Sequence, residues 1–74
     1  MRDALFRVQF LDERGEFAFT DPLDREDAIA RACGMRLRFI VQGIVDNITG
    51  DIIMDANQIR NEARRRAREP GLQH

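Results

Sequence analysis

The sequence has no lysine, no tryptophan and no tyrosine, and only one cysteine and one histidine. Each absence excludes something. Without Trp or Tyr, the aromatic share of a core must come from five Phe. The lone Cys33 excludes an intrachain disulfide and fits a reducing compartment. One Cys and one His cannot supply the three or four ligands of a zinc site, so no metal is expected. No apolar run approaches the roughly 18 residues of a membrane span. The N-terminal MRDALFRVQF lacks the apolar segment of a signal peptide, and the cytoplasm is the expected compartment.

Chemistry-bearing motifs are missing as well. The five Gly are scattered and form no phosphate-cradling loop, so no cofactor is expected. Nucleophilic catalysis needs a base beside the nucleophile. His74 is the last residue, beyond Pro70-Gly71, and Cys33 falls on the apolar face of a predicted helix. No catalytic residue is assigned and no enzyme activity is expected. The acidic cluster Asp21, Asp24, Glu26 and Asp27 reads as charge at the positive end of a helix dipole. Asp46-Asn47-Ile48-Thr49-Gly50-Asp51 fails as a calcium loop, because Ile48 and Gly50 stand where oxygen ligands are required. A hairpin turn explains the same residues.

What remains is a chain of 74 residues, enough for one domain over 1–74. A chain this short buries only about 60 % of its unfolded surface, so its core is thin. Oligomerisation is then a source of extra stability. The composition, 43 % hydrophobic and 34 % charged, is that of a globular protein.

All twelve basic residues are Arg. Codon usage in a GC-rich genome produces this, and so does selection for bidentate contacts to phosphate or carboxylate. Composition does not separate the two. The net charge of −1 hides an asymmetry. Residues 1–55 carry 7 Arg against 11 Asp and Glu, whereas residues 56–69 carry 5 Arg against 2 Glu. The body is acidic and the last helix basic.

Hydrophobic periodicity orders the elements. Phe6-Arg7-Val8-Gln9-Phe10 alternates with the period of a half-buried strand. Asp12-Glu13-Arg14-Gly15 is a turn, and Glu16-Phe17-Ala18-Phe19-Thr20 resumes the alternation. A hairpin over 5–20 is predicted, with Phe17 and Phe19 facing the same core as Phe6, Val8 and Phe10. Asp21-Pro22-Leu23-Asp24 opens a helix over 22–34, with Asp24 as a rival cap. Ile29, Ala32 and Cys33 line one face of it, Ala28 joins them on the flank, and Gly34 is the expected stop.

Residues 35–48 admit two readings. Met35, Leu37, Phe39 and Val41 alternate as in a strand. Ile29, Cys33, Leu37, Ile40, Ile44 and Ile48 also fit a helical stripe that would carry one helix from Asp24 to Ile48. That helix would hold Gly34 and Gly43 internally, at about 1 kcal/mol each relative to Ala. It would also hold β-branched Ile40, Val41, Ile44 and Val45, which are weak helix formers. The hairpin is preferred, spanning 36–56, turning at 46–50, with Gly43 at a bulge. Phe6, Val8, Phe10, Ile29, Cys33, Leu37 and Phe39 are the expected core.

Asp55-Ala56-Asn57-Gln58 matches a relaxed capping box and starts a basic helix over 56–69, which ends before Pro70-Gly71. Its apolar stripe, Ala56, Ile59, Ala63 and Ala67, has one large side chain. Residues 63–69 are therefore expected to project, fray or wait for a partner. The order ββαββα implies an α+β fold, a small antiparallel sheet with two helices packed on one face.

Arg60, Arg64 and Arg68 recur at i, i+4 and i+8, with Arg65 and Arg66 on the flank. This run is the one feature with a functional reading. Arg60, Arg64, Arg65 and Arg68 are the candidate partner-binding residues. The expected function is a small non-enzymatic interaction module that binds a protein partner, a second copy of itself included. Small regulators of bacterial or phage origin share this size and lack of chemistry, by analogy alone. The alternative is a nucleic-acid binder that sets the Arg helix against successive phosphates.

Overall fold

The computed structural model describes residues 5–68. The elements are β1 (Phe6–Leu11), β2 (Phe17–Phe19), α1 (Arg25–Met35), β3 (Ile40–Asp46), β4 (Ile52–Asp55) and α2 (Ala56–Arg68). The strands form one antiparallel sheet in the order β2-β1-β3-β4. The fold is α+β. Val8, Val41 and Ile44 from the sheet meet Ala28, Ile29 and Ala32 of α1 and Ile59 of α2 in one buried cluster. Both helices therefore lie on the same face.

The first hairpin closes through Asp12, whose Oδ1 accepts hydrogen bonds from Arg14 N at 2.8 Å and Glu16 N at 3.0 Å. Gly15 takes φ 79°, the left-handed geometry the turn requires. The register pairs Leu11 with Phe17, Phe10 with Ala18 and Gln9 with Phe19. This corrects one expectation. Directly paired residues share a face, so Ala18 joins Phe10 on the helix side while Phe17 and Phe19 stand on the other. Alternation alone gives the period of each strand, and the loop between them sets the phase.

Helix α1 starts at Arg25, three residues later than predicted. Asp24 is its N-cap, with extended backbone and no side-chain capping bond. Leu23 instead bridges Phe6, exchanging backbone hydrogen bonds of 3.0 and 2.7 Å. Those bonds hold Pro22 and Leu23 outside the helix. Gly34 is not the stop either. It lies inside α1, which runs to Met35, and its φ is not positive.

The chain then coils through a short turn. Leu37 N donates to Gly34 O, and Arg38 N and Phe39 N both donate to Met35 O. Residues 36–39 are consequently not strand. Met35 and Phe39, four apart, turn inward, and the Phe39 ring packs on Phe10 with centroids 5.1 Å apart. Leu37 points outward and is 82 % exposed, so it leaves the expected core.

The second hairpin is present, and the single long helix is not. Asp46 Oδ1 accepts from Ile48 N and Thr49 N, and Gly50 takes φ 81°. The register slips between Gln9 and Phe10, where Gln42 and Gly43 form the bulge expected at Gly43. A second slip leaves Ile53 without a partner on β3. A Cβ on Gly43 would lie 2.7 Å from the Met54 carbonyl oxygen, so the approach of β4 requires glycine there. Helix α2 follows β4 with no intervening residue. The expected end of the helix at Glu69, the Pro70-Gly71 stop and His74 lie outside the described residues.

Candidate interaction surfaces

Two surfaces stand out, the outer side of α2 and the sheet face away from the helices. Helix α2 begins with a reciprocal capping box. Gln58 N donates to Asp55 Oδ1 at 2.9 Å, and Asp55 N donates to Gln58 Oε1 at 2.9 Å. Ile59, fully buried, inserts into the core and contributes about 1.5–3 kcal/mol by burial. Ala63 is only half-buried and Ala67 is exposed, as the narrow stripe implied.

The second half of α2 is held by charge where apolar surface is short. Glu62 accepts hydrogen bonds from Arg65 and from Arg66, the latter at 3.1 Å. These bonds, the Arg65 one first, hold the Glu62 carboxyl below its ordinary range. Arg66 also reaches across to Glu26 of α1 at 3.2 Å. The expectation of a projecting or fraying end therefore does not hold for this side of the helix. The acidic start of α1 binds the basic end of α2 within one molecule.

The four candidate arginines divide. Arg65 is tied to Glu62. Arg60 donates from Nη1 to Asn57 Oδ1 at 3.3 Å within its own turn. Arg64 and Arg68 are exposed and join no ion pair among the described residues. The i, i+4, i+8 ridge thus points to solvent, while Arg65 is compensated.

The other surface is the open face of the sheet. Pairing puts Phe17, Leu11 and Ile40 in one row across β2, β1 and β3. Arg7, Val45 and Ile52 form a second row across β1, β3 and β4. Phe19, Gln9, Gly43 and Asp55 occupy the row between them. Among the described residues no helix lies on this face. Phe17 is 63 % exposed, Ile40 65 %, Ile52 56 % and Phe19 45 %. Val45 is nearly buried yet stands outside the helix-side cluster. The Arg7 guanidinium lies 5.2 Å above the Phe19 ring, and its Nε donates to Thr20 O at 2.8 Å.

Sequence reasoning passed over this surface, and the signal was present. A sheet with one wet face alternates apolar and polar residues. Strand β3 instead has apolar pairs, Ile40-Val41 and Ile44-Val45, which supply both faces.

Among the described residues, two clefts lie beside these surfaces. One, of about 420 Å³, lies over Phe10, Ala18 and Phe39, with Asp12, Glu13 and Arg14 at its rim. The Asp12 carboxylate there is already engaged by the turn. The other, of about 270 Å³, lies between Arg36 and Arg60 over Phe39 and Ile59. Cys33 is half-buried against the core, and burial, opposed by the nearby Arg66, raises its thiol above the usual value. Among the described residues no group of three His, Cys, Asp or Glu is placed to hold a metal ion. No described helix is long and apolar enough to cross a membrane. No protein-family model matches the chain, and no curated protein or solved structure matches it either.

Proposed function

We propose that this chain is a non-catalytic protein-binding module that presents the open face of its sheet to a protein partner. The observation that carries this reading is the row Phe17-Leu11-Ile40 together with Ile52, large apolar side chains set on a sheet face that no described helix covers. Scattered single apolar residues are ordinary on a surface, but a contiguous apolar face marks an interaction site. Cys33 is half-buried and its thiol is held above the usual value, which makes it a poor nucleophile and supports the non-catalytic half of the reading.

A second reading rests on a separate observation, the outward ridge of Arg60, Arg64 and Arg68. A nucleic acid held there would engage successive phosphates, and its affinity would fall steeply with salt. A photo-crosslinking side chain placed at position 17, 40 or 64, in the cells that express the protein, separates the two. Protein adducts from 17 and 40 and none from 64 are the expected result. Adducts from 64 alone, or adducts to nucleic acid, would replace the first reading with the second.

A further inference from the structure

We infer that the cleft where the end of α1 meets the start of α2 binds a small organic acid, one carboxylate carried on an apolar body the size of a single aromatic side chain. Separate elements build this cleft. Arg36 is the C-cap of α1, Phe39 and Val41 come from the turn and the strand that follow, and Ile59 and Arg60 come from α2.

The floor is apolar and fixed by the core. Val41 is 7 % exposed and Ile59 1 %. The Phe39 ring is held against Phe10 with centroids 5.1 Å apart. A planar apolar body packs on such a floor without rearranging it. The volume of about 270 Å³ lies just under the roughly 300–1,000 Å³ of sites for drug-sized ligands, so the cleft suits a body of about ten non-hydrogen atoms.

The rim sets the charge. Both charged residues that line the cleft are arginines, and no described carboxylate lines it. Arg36 makes no side-chain hydrogen bond or ion pair among the described residues. Arg60 spends Nη1 on Asn57 at 3.3 Å and keeps its other N–H donors. Two guanidinium groups beside an apolar floor select a ligand with negative charge at one end. The other lining side chains are all apolar and offer no donor. Two guanidinium forks satisfy the two oxygens of a carboxylate, whereas a third oxygen on a phosphate would find no side-chain donor. The cleft beside Arg14 lacks this polarity. There Glu13 and Arg14 offset each other, and the Asp12 carboxylate is engaged by the turn. Arg64 and Arg68 line neither cleft.

Titration of the isotopically labelled protein with phenylacetate, followed by amide chemical shifts at neutral pH and fixed salt, tests the inference. Shifts from Phe39 to Val41 and from Ala56 to Arg60 should move together and saturate. Acetate lacks the apolar body and phenylacetamide lacks the charge, and each should bind at least about tenfold more weakly. Arg36→Gln and Arg60→Gln alter exposed side chains. Each should weaken phenylacetate binding about tenfold with the circular dichroism spectrum unchanged. Arg14→Gln, at the other cleft, should bind as the parent does. Shifts that do not saturate overturn the inference, as does phenylacetamide binding as tightly as the acid. Binding that survives both cleft variants, or is lost in Arg14→Gln, overturns it too. Phenyl phosphate binding more tightly than phenylacetate would overturn the carboxylate, and a peptide ending in Phe doing so would overturn the free small molecule. Ile40 is the one lining residue shared with the Phe17-Leu11-Ile40 row, and neither Arg variant touches that row. The crosslinks from position 17 therefore test the protein-binding reading separately.

Discussion

The two faces of the sheet are built from the same strands and behave as different surfaces. On the helix side, Val8, Val41 and Ile44 are sealed by Ile29 and Ile59. On the open side, Phe17, Ile40 and Ile52 are equally apolar and stay exposed. Residue type therefore does not decide burial in this molecule. Cover decides it, and two helices of 11 and 13 residues cover only one face. The helix side forms the core, and the open side keeps its large apolar side chains exposed.

The sharpest way to break that comparison is a matched pair of truncations. Ile44→Ala should cost about 2–5 kcal/mol, a large part of the stability of a domain this small. Ile52→Ala, on the open face, should change monomer stability by no more than about 0.5 kcal/mol. Urea unfolding at low protein concentration measures both. Equal losses would mean that the open face is also a monomer core.

Gly43→Ala should come next, at about 2–3 kcal/mol. The added methyl would press on a backbone carbonyl, and backbone cannot yield as a side-chain tip can. A near-neutral result would show that β4 can slide away from β3. Asp55→Ala, which deletes half of the capping box, should cost about 1 kcal/mol in the same assay.

Gly34→Ala should move the midpoint the other way, by up to about 1 kcal/mol of stabilisation. Gly34 has helical backbone, and nothing lies within 4 Å of where its Cβ would be.

The smallest effect concerns Glu62. Its folded-state pKa lies below its ordinary value of 4.5. Its contribution is thus complete above that value and is lost as pH falls through the lower, folded pKa. Glu62→Gln should flatten the acid limb of the stability curve below about pH 4.5 and leave the neutral region nearly parallel to the parent.

Local chemistry was legible in the sequence wherever neighbours in the chain decide it. The turn at 46–50 is fixed by Asp46 and Gly50, and the start of α2 by Asp55 and Gln58, each within four residues. The order ββαββα followed from such signals. Where distant partners decide, the reading failed. Leu23 looks like a first-turn helix residue until Phe6 claims it for the sheet. Leu37 keeps strand phase with Phe39 until backbone bonds to Gly34 and Met35 wind that stretch. Phe17 and Phe19 alternate correctly and face the wrong way, because phase depends on the pairing with Gln9 and Leu11. At the candidate site the exposure of Arg60, Arg64 and Arg68 was legible from spacing. Arg65 stood among the expected partner-binding residues, although Glu62, three residues before it, was the signal for the pair the structure shows. The contact between Arg66 and Glu26, forty positions apart, was not legible.

The direct passage from β4 into α2 has a consequence for how this molecule opens. Four residues at the sheet edge run into a helix with no slack between them, and Asp55 and Gln58 lock the joint from both sides. Peeling the edge strand must tilt the helix, and tilting the helix withdraws Ile59 from beneath the sheet. Amide protons of Ile52 to Met54 and of Ile59 to Ala63 should then exchange with solvent at one common opening free energy, as a single cooperative unit. A ligand that grips the outer arginines of the helix would slow exchange in the strand without touching it.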